Sequence, residues 1–306
     1  MELRHLIYFI AVAEELHFGR AARRLNISQP PLSQQIRQLE AEIGVRLFER
    51  TKRRVEITQP GLIFLEEARK IVRLSEEAVR RTIRAGKGEI GKLTVGYVGS
   101  ANYSLLPPVV RGFRKRFPKV DLALMELNTS HQIEALQDGR IQIGFLRPPK
   151  GSERNGLSIE PLIRESLLAA LPQSHALAGK RRLSWRMLSG EQFIMIPRQR
   201  APGFYDQIIN LCQQEGFSPD IVLEASQFHT IIGMVSAEIG ITIVPSSMQA
   251  ASIQGVVFRP VGRENIKTEL AMAWQKKNPS PVLLQFIELA RETAKTVRSS
   301  ESLVQS

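Results

Sequence analysis

From Leu62 to Ala85 the chain runs 24 residues without a glycine or proline, enough for about 36 Å of helix at the standard rise. Within it Leu65, Val72 and Val79 fall seven residues apart, as do Ile71, Ala78 and Ala85. An apolar seam at that spacing suggests pairing with a second copy of the chain, the alternative being a helix that lies on its own domain. Either way, a rod of this length divides the chain into a short front and a long rear.

The front reads as a small helical unit. Leu3, Leu6, Ile10 and Ala13, with Phe9 and Leu16 beside them, make one apolar helical face. "FGRAARRL" gives a second short helix, with Phe18, Ala21, Ala22 and Leu25 inward and Arg20, Arg23 and Arg24 outward. After a tight turn at Asn26 and Ile27, Ser28 is placed as the N-cap of a third helix, with Pro30 and Pro31 in its first turn. Leu32, Ile36, Leu39 and Ile43 form that helix's buried stripe. Two helices joined so tightly are a helix-turn-helix, and "RLFER–TKRR–VEIT" adds a two-stranded wing with its tip at Thr51–Arg54.

Past "GKGEIGK" the texture changes. Strand-like runs at 92–98, 120–127 and 141–146 alternate with helical patterns at 104–117 and 129–138, followed by "LLAALP", "FIMIP", "IVLEA", "ITIVP" and "ELAMAW". This is α/β patterning, as one large domain or as two lobes. The final "RSSESLVQS" reads as a disordered tail.

Charge narrows the partner. The chain carries a net +12 over 306 residues, which favours a polyanion. Residues 1–60 hold 10 Lys/Arg against 7 Asp/Glu, a net of only +3, but "RLFERTKRR" concentrates five cations with one Glu. No apolar run approaches a membrane span, and the N-terminus, interrupted by Glu14 and Glu15, lacks the form of a signal peptide. A single cysteine, Cys212, permits no internal disulfide, so the expected location is the cytoplasm.

The segment "MELRHLIYFIAVAEELHFGRAARRLNISQPPLSQQIRQLEAEIGVRLFER" followed by "TQPG" resembles the LysR-type transcriptional regulators of bacteria. The likeness extends through "LLPPVVRGFRKRFP", "IEALQDGRIQIGF" and "GITIVP", and "GYVGSANYSLLP" is most similar to the branch that senses muconates, benzoates and chlorocatechol products. The resemblance implies an α/β protein with an all-α-dominated N-terminal winged helix-turn-helix, a long linker helix and a two-lobed sensor domain like a periplasmic binding protein. The boundaries expected are residues 1–60 for the DNA-binding domain, 61–91 for the linker helix and hinge, and 92–306 for the effector domain. Within the last, lobe I takes 92–162 and 267–298, and lobe II takes 163–266. The implied partners are double-stranded promoter DNA, a small carboxylate effector of aromatic origin, RNA polymerase, and further copies in a homodimer or homotetramer. Gly19 departs from the family, which commonly carries Ser or Thr there.

In a major groove the third helix would present Ser28, Gln29, Pro30, Pro31, Ser33, Gln34 and Arg37 to the DNA. Gln pairs with adenine and Arg with guanine edges, and the prolines offer apolar surface to a thymine methyl. Arg50, Lys52, Arg53 and Arg54 on the wing suit phosphates or a narrow minor groove. In the rear, Ser100 follows a strand end, Thr129 opens a helix after Asn128, and Arg147 lies just past a third strand. These are seats for a carboxylate, or otherwise helix caps and a surface cation. By resemblance all three match effector-contacting positions, and Pro197, Phe204 and Gln227 match positions lining the cleft from the second lobe.

Other chemistries find little support. "GKGEIGKL" approaches a phosphate-binding loop, but Leu93 replaces the hydroxyl and the loop precedes a strand, so it reads as a flexible hinge. The five histidines are scattered, no cofactor loop or catalytic triad is evident, and neither a metal nor a cofactor is expected. An enzyme is therefore disfavoured. A solute-binding receptor without a transcriptional role is the alternative, and the N-terminal helix-turn-helix speaks against it.

Overall fold

The computed structural model describes residues 1–51, 54–148, 156–262 and 266–304. The chain divides into two units, Met1–Arg84 and Ala85–Ser306.

In the first unit, α1 (Leu3–Glu15), α2 (Phe18–Arg24) and α3 (Gln29–Ile43) enclose a core of Leu6, Phe9, Val12, Phe18, Leu32, Ile36 and Leu39. Asn26, at φ 57°, makes the left-handed turn between α2 and α3. Ile43, expected at the end of the buried stripe, is 36% exposed because α3 stops there and Gly44 turns the chain at φ 82°. The wing is β1 (Phe48–Arg50) paired antiparallel with β2 (Val55–Ile57).

The linker helix α4 spans Gln59–Gly86. It enters against the wing so closely that a Cβ on Gly61 would lie 2.3 Å from the Leu47 carbonyl oxygen, which only glycine tolerates. Phe64, Leu65, Ala68 and Val72 pack on the first unit's core. The expected seven-residue seam is thus split. Leu65 and Val72 serve their own domain, while Ile63, Ile71, Leu74, Val79 and Ile83 are exposed, Leu74 by 66%.

The second unit begins with β3 (Gly91–Tyr97), α5 (Leu106–Arg116), β4 (Val120–Glu126), α6 (Thr129–Gln137) and β5 (Ile143–Leu146). A 16-residue strand, β6 (Leu157–Pro172), follows. Then come β7 (Gln192–Met195), α7 (Pro202–Gln214), β8 (Asp220–Glu224), α8 (Phe228–Ser236), β9 (Thr242–Pro245), β10 (Val256–Pro260), β11 (Lys267–Gln275) and α9 (Pro281–Val304). The main sheet runs β10-β6-β11-β5-β3-β4, with β9 also on β6, and β7 pairs with β8 separately. β3 is parallel to β4 and β5, whereas β11 is antiparallel to β5 and β6.

Two cores form on this frame. Phe113, Phe145, Phe286 and Leu270 lie in one; Trp185, Phe193, Ile208, Cys212, Phe228 and Met248 lie in the other. β6 supplies Leu162 and Ile163 to the first and Leu167 to Leu171 to the second, so it crosses between them around Glu165. Two expectations change here. Residues 298–304, expected in a disordered tail, continue α9 to Val304, and the last two residues lie outside the described ones. The glycine segment is not a free hinge, since Gly88 (φ 71°) lies against α9, where a Cβ would meet the Pro281 carbonyl oxygen at 2.6 Å.

Candidate functional site

The outward side of α3 is laid out as its sequence suggests. Ser28, Gln29, Pro30, Pro31, Gln34 and Arg37 are exposed and Ser33 is half-buried, while Leu32, Ile36 and Leu39 face the core. Gln35 is the amide turned inward, bonding the buried His5 ring at 2.6 Å. Ser28 occupies the N-cap position but its hydroxyl makes no cap bond. The reason is chemical. An N-cap side chain bonds the N–H of the second or third helical residue, and here these are Pro30 and Pro31, which have none. The Ser28 hydroxyl is left on the surface beside Gln29.

The start of α2 solves the same problem differently. His17 caps it, its Nδ1 accepting the backbone N–H of Gly19 at 3.0 Å and of Arg20 at 3.2 Å. A Cβ on Gly19 would come within 3.0 Å of that ring, so the residue that departs from the family pattern also accommodates the cap.

On the wing, Arg50 does not project as a free cation. Its guanidinium pairs with Glu40 of α3 at 2.7 Å and lies 4.8 Å over the Phe18 ring. Burial lowers its pKa below the usual guanidinium value, opposed by the Glu40 charge. The other oxygen of Glu40 accepts the backbone N–H of Leu47 and of Phe48, each at 3.0 Å, tying α3 to the wing. Arg54 is exposed and pairs with Glu56 at 2.7 Å. Lys52 and Arg53 lie outside the described residues.

In the second unit a cleft of about 420 Å³, partly open to solvent, is lined by Val98, Gly99, Ser100, Leu127, Asn128, Thr129, Arg147, Ile196, Ala201, Phe204, Ser226, Gln227 and Phe228. Five of the six expected residues therefore meet there. Pro197 does not; its neighbour Ile196 lines the cleft, and the Pro197 carbonyl caps the turn at Arg200 and Ala201. The N-termini of α6 and α8 and of the short 3-10 helix Gly99–Tyr103 all open toward this space, through Thr129, Phe228 and Gly99. Helix N-termini favour negative charge. At the side of the cleft the Ser130 hydroxyl donates to the Gln199 carbonyl at 2.9 Å, and the Arg200 guanidinium lies 3.3 Å from His131 Nε2.

The polar floor is more committed than the sequence suggests. Arg147, 4% exposed, donates from Nε and Nη2 to the Ser100 hydroxyl at 3.2 and 3.1 Å, and from Nη1 to the Thr268 hydroxyl at 3.4 Å. Its Nη2 also pairs with Glu165, itself buried. Four of the five guanidinium donors are thereby used. Ser100 accepts twice, which fills its lone pairs and leaves its O–H as the group to donate. The Thr129 hydroxyl both accepts the Arg147 backbone N–H, at 3.3 Å, and donates to the Arg147 carbonyl, at 3.4 Å. Thr129 thus fastens the end of β5 to α6, while Ser100 is the free donor.

Comparison with known proteins decides the family. Residues 3–62 match the bacterial regulatory helix-turn-helix protein, lysR family, and residues 86–295 match the LysR substrate binding domain. The chain belongs to the LysR family of transcriptional regulators. It is 44% identical to the HTH-type transcriptional regulator AlsR of Bacillus subtilis (strain 168), covering 99% of both chains. It is 40% identical to a probable cat1 operon transcriptional activator of Acinetobacter lwoffii, covering 95% of this chain and 96% of that one. Among solved structures, full-length CbnR complexed with its target DNA superimposes with a TM-score of 0.84 at 31% identity, covering 96% of this chain and all of CbnR.

As a LysR-type regulator the protein is a DNA-binding transcription factor with an effector-binding α/β domain, and the family is not one of enzymes. Among the described residues no helix is long and apolar enough to cross a membrane, and no group of acidic, His or Cys side chains is arranged to hold a metal. Sequence reading of this LysR-type regulator missed Glu165, Thr268 and Ser247. Glu165 and Thr268 lie opposite each other in the β6–β11 register, and the Ser247 N–H donates to Glu165 at 3.2 Å. Glu165 and Thr268 stand on strands whose pairing joins residues about a hundred positions apart, and no local motif marks them.

Proposed function

We propose that this regulator binds promoter DNA as a homodimer or homotetramer and changes transcription by RNA polymerase when a small carboxylate occupies the cleft. The working division is 1–60 for DNA binding, 61–91 for the linker helix and hinge, and 92–306 for sensing, with lobe I at 92–162 and 267–298 and lobe II at 163–266. α3 enters the major groove, where Gln29, Gln34 and Arg37 read bases, Ser33 and the prolines pack against them, and the Ser28 hydroxyl bonds a phosphate. Lys52, Arg53 and Arg54 meet the backbone from the wing, while Arg50 braces it from Glu40. The exposed stripe of Ile63, Ile71 and Leu74 on α4 supports pairing with a second copy.

One observation carries the effector reading: a buried Ser100 hydroxyl, whose oxygen accepts two Arg147 N–H groups and which is left only as a donor, lines a cleft whose other walls are largely apolar. A carboxylate at Ser100 accepts a hydrogen bond from the hydroxyl and lies at the α6 N-terminus. Its apolar, aromatic-derived body lies against Ile196, Phe204 and Phe228, with the Gln227 amide close to Gly99. Calorimetric titration of the full-length protein with benzoate and other small acids tests this, beside a Ser100→Ala variant. Wild-type binding that falls about tenfold or more in the variant, the loss of one charge-assisted bond, is expected. Equal affinities remove Ser100 from the site.

A further inference from the structure

Arg147 is the one ionisable side chain among the described residues lining the cleft. Its charge does not reach a ligand unopposed. Glu165 lies behind it, 2% exposed and in direct ion-pair contact, and the remaining Glu165 oxygen is held by the Ser247 N–H. The floor is therefore neutral overall, with a carboxylate of the protein's own already on the guanidinium. The other polar side chains of the lining are uncharged, among them the Gln227 amide, whose Oε1 lies 3.4 Å from where a Gly99 Cβ would stand. The exposed Glu126 carboxylate sits closer to the same point, at 2.8 Å, and does not line the cleft. Two further ionisable groups lie beside the cleft. Arg200 is turned to His131, within 3.3 Å of its ring, and neither lines the space.

We propose that Glu165, by neutralising Arg147, restricts this site to effectors bearing a single carboxylate and makes it reject dicarboxylates of the same length. The inference rests on the carboxylate reading above. One carboxylate finds the Ser100 proton and the helix N-termini. A second finds no further cation in the lining and no net charge on the floor, and is buried without a charged partner, which is unfavourable. Glu165 acts through Arg147 and is a specificity residue that does not itself touch the ligand.

A matched pair of probes reads this directly. Sorbate and trans,trans-muconate share a six-carbon diene and differ only in whether the far end is a methyl or a carboxylate. Titrated into the full-length wild type, sorbate is expected to bind about tenfold or more tighter than muconate, the cost of one unpaired carboxylate. Glu165→Gln retains an oxygen for the Ser247 N–H but frees the Arg147 charge. In it muconate is expected to gain more than sorbate, shrinking the ratio about tenfold or inverting it. Arg147→Gln combined with Glu165→Gln removes both charges and relieves the lone buried cation. Both acids weaken there through the lost Ser100 contacts, but their ratio stays within about threefold of wild type. This variant keeps the test valid if Glu165→Gln is poorly folded. A wild type that binds both acids equally, or a ratio that moves in the double variant, overturns the role of Glu165 and leaves the carboxylate reading standing. Binding of neither acid overturns both.

Discussion

Glu40→Ala isolates what holds the wing against α3. The Glu40 side chain is 13% exposed, with one oxygen accepting two backbone N–H groups at 3.0 Å and the other facing Arg50 at 2.7 Å. Hydrogen bonds to a charged acceptor contribute about 1.5–3 kcal/mol each when buried, and water access to the half-buried Glu40 reduces this to about 1 each. The partly exposed Arg50 pair adds about 1 kcal/mol at most. Alanine is therefore expected to cost roughly 3 kcal/mol. Glu40→Gln keeps an oxygen for the two N–H groups and costs about 1 kcal/mol. For a unit of this size, 1 kcal/mol corresponds to about 4–8 °C in Tm, so the alanine variant melts about 12–24 °C lower and the glutamine variant about 4–8 °C lower. Scanning calorimetry of the full chain resolves this as a shift of the transition belonging to residues 1–84. The effector-domain transition stays in place. A glutamine variant as damaged as the alanine one, or an alanine variant within 2 °C of wild type, refutes the brace.

Gln29→Ala is expected to lose about 1–3 kcal/mol on the preferred operator and little on random duplex, measured by fluorescence anisotropy at fixed salt; equal losses on both remove its reading role. Leu74→Glu, placed on the 66% exposed centre of the α4 stripe, should lower the assembly state in sedimentation equilibrium without changing the helical circular dichroism. Burial pushes the Cys212 thiol up to about 12 from 9.0. The unfolded thiol ionises first as pH rises, so the thiol's contribution to stability is full below pH 9 and is lost progressively between 9 and about 12. Cys212→Ser flattens that part of the stability curve in urea titrations.

Much of the front of the molecule is legible because its signals are local. Apolar spacing within fifteen residues places Leu32, Ile36 and Leu39 inward, and Pro30 with Pro31 fixes where α3 begins. What the local pattern conceals is consequence. The same prolines that start the helix remove the donors Ser28 would cap, and Arg50 reads as a wing cation until the tertiary fold brings Glu40 beside it. The rear is legible in its strands and less so in their partners. The first half of β6 contains Pro161 and alternates weakly, and its length becomes clear only once β11 lies alongside. Ser100, Thr129 and Arg147 are visible because each follows a strand end. Glu165 is invisible for the converse reason: nothing near it in the chain foretells that Arg147 will need it.

The strand from Leu157 to Pro172 is common property of both cores, and no loop interrupts it at Glu165. Relative rotation of the halves must then be accommodated by twisting or bending an extended ladder, which resists in proportion to angle and stores the work done on it. Glu165, which holds Arg147, stands at the midpoint of that spring, so the ion pair flooring the cleft sits where the two cores are joined.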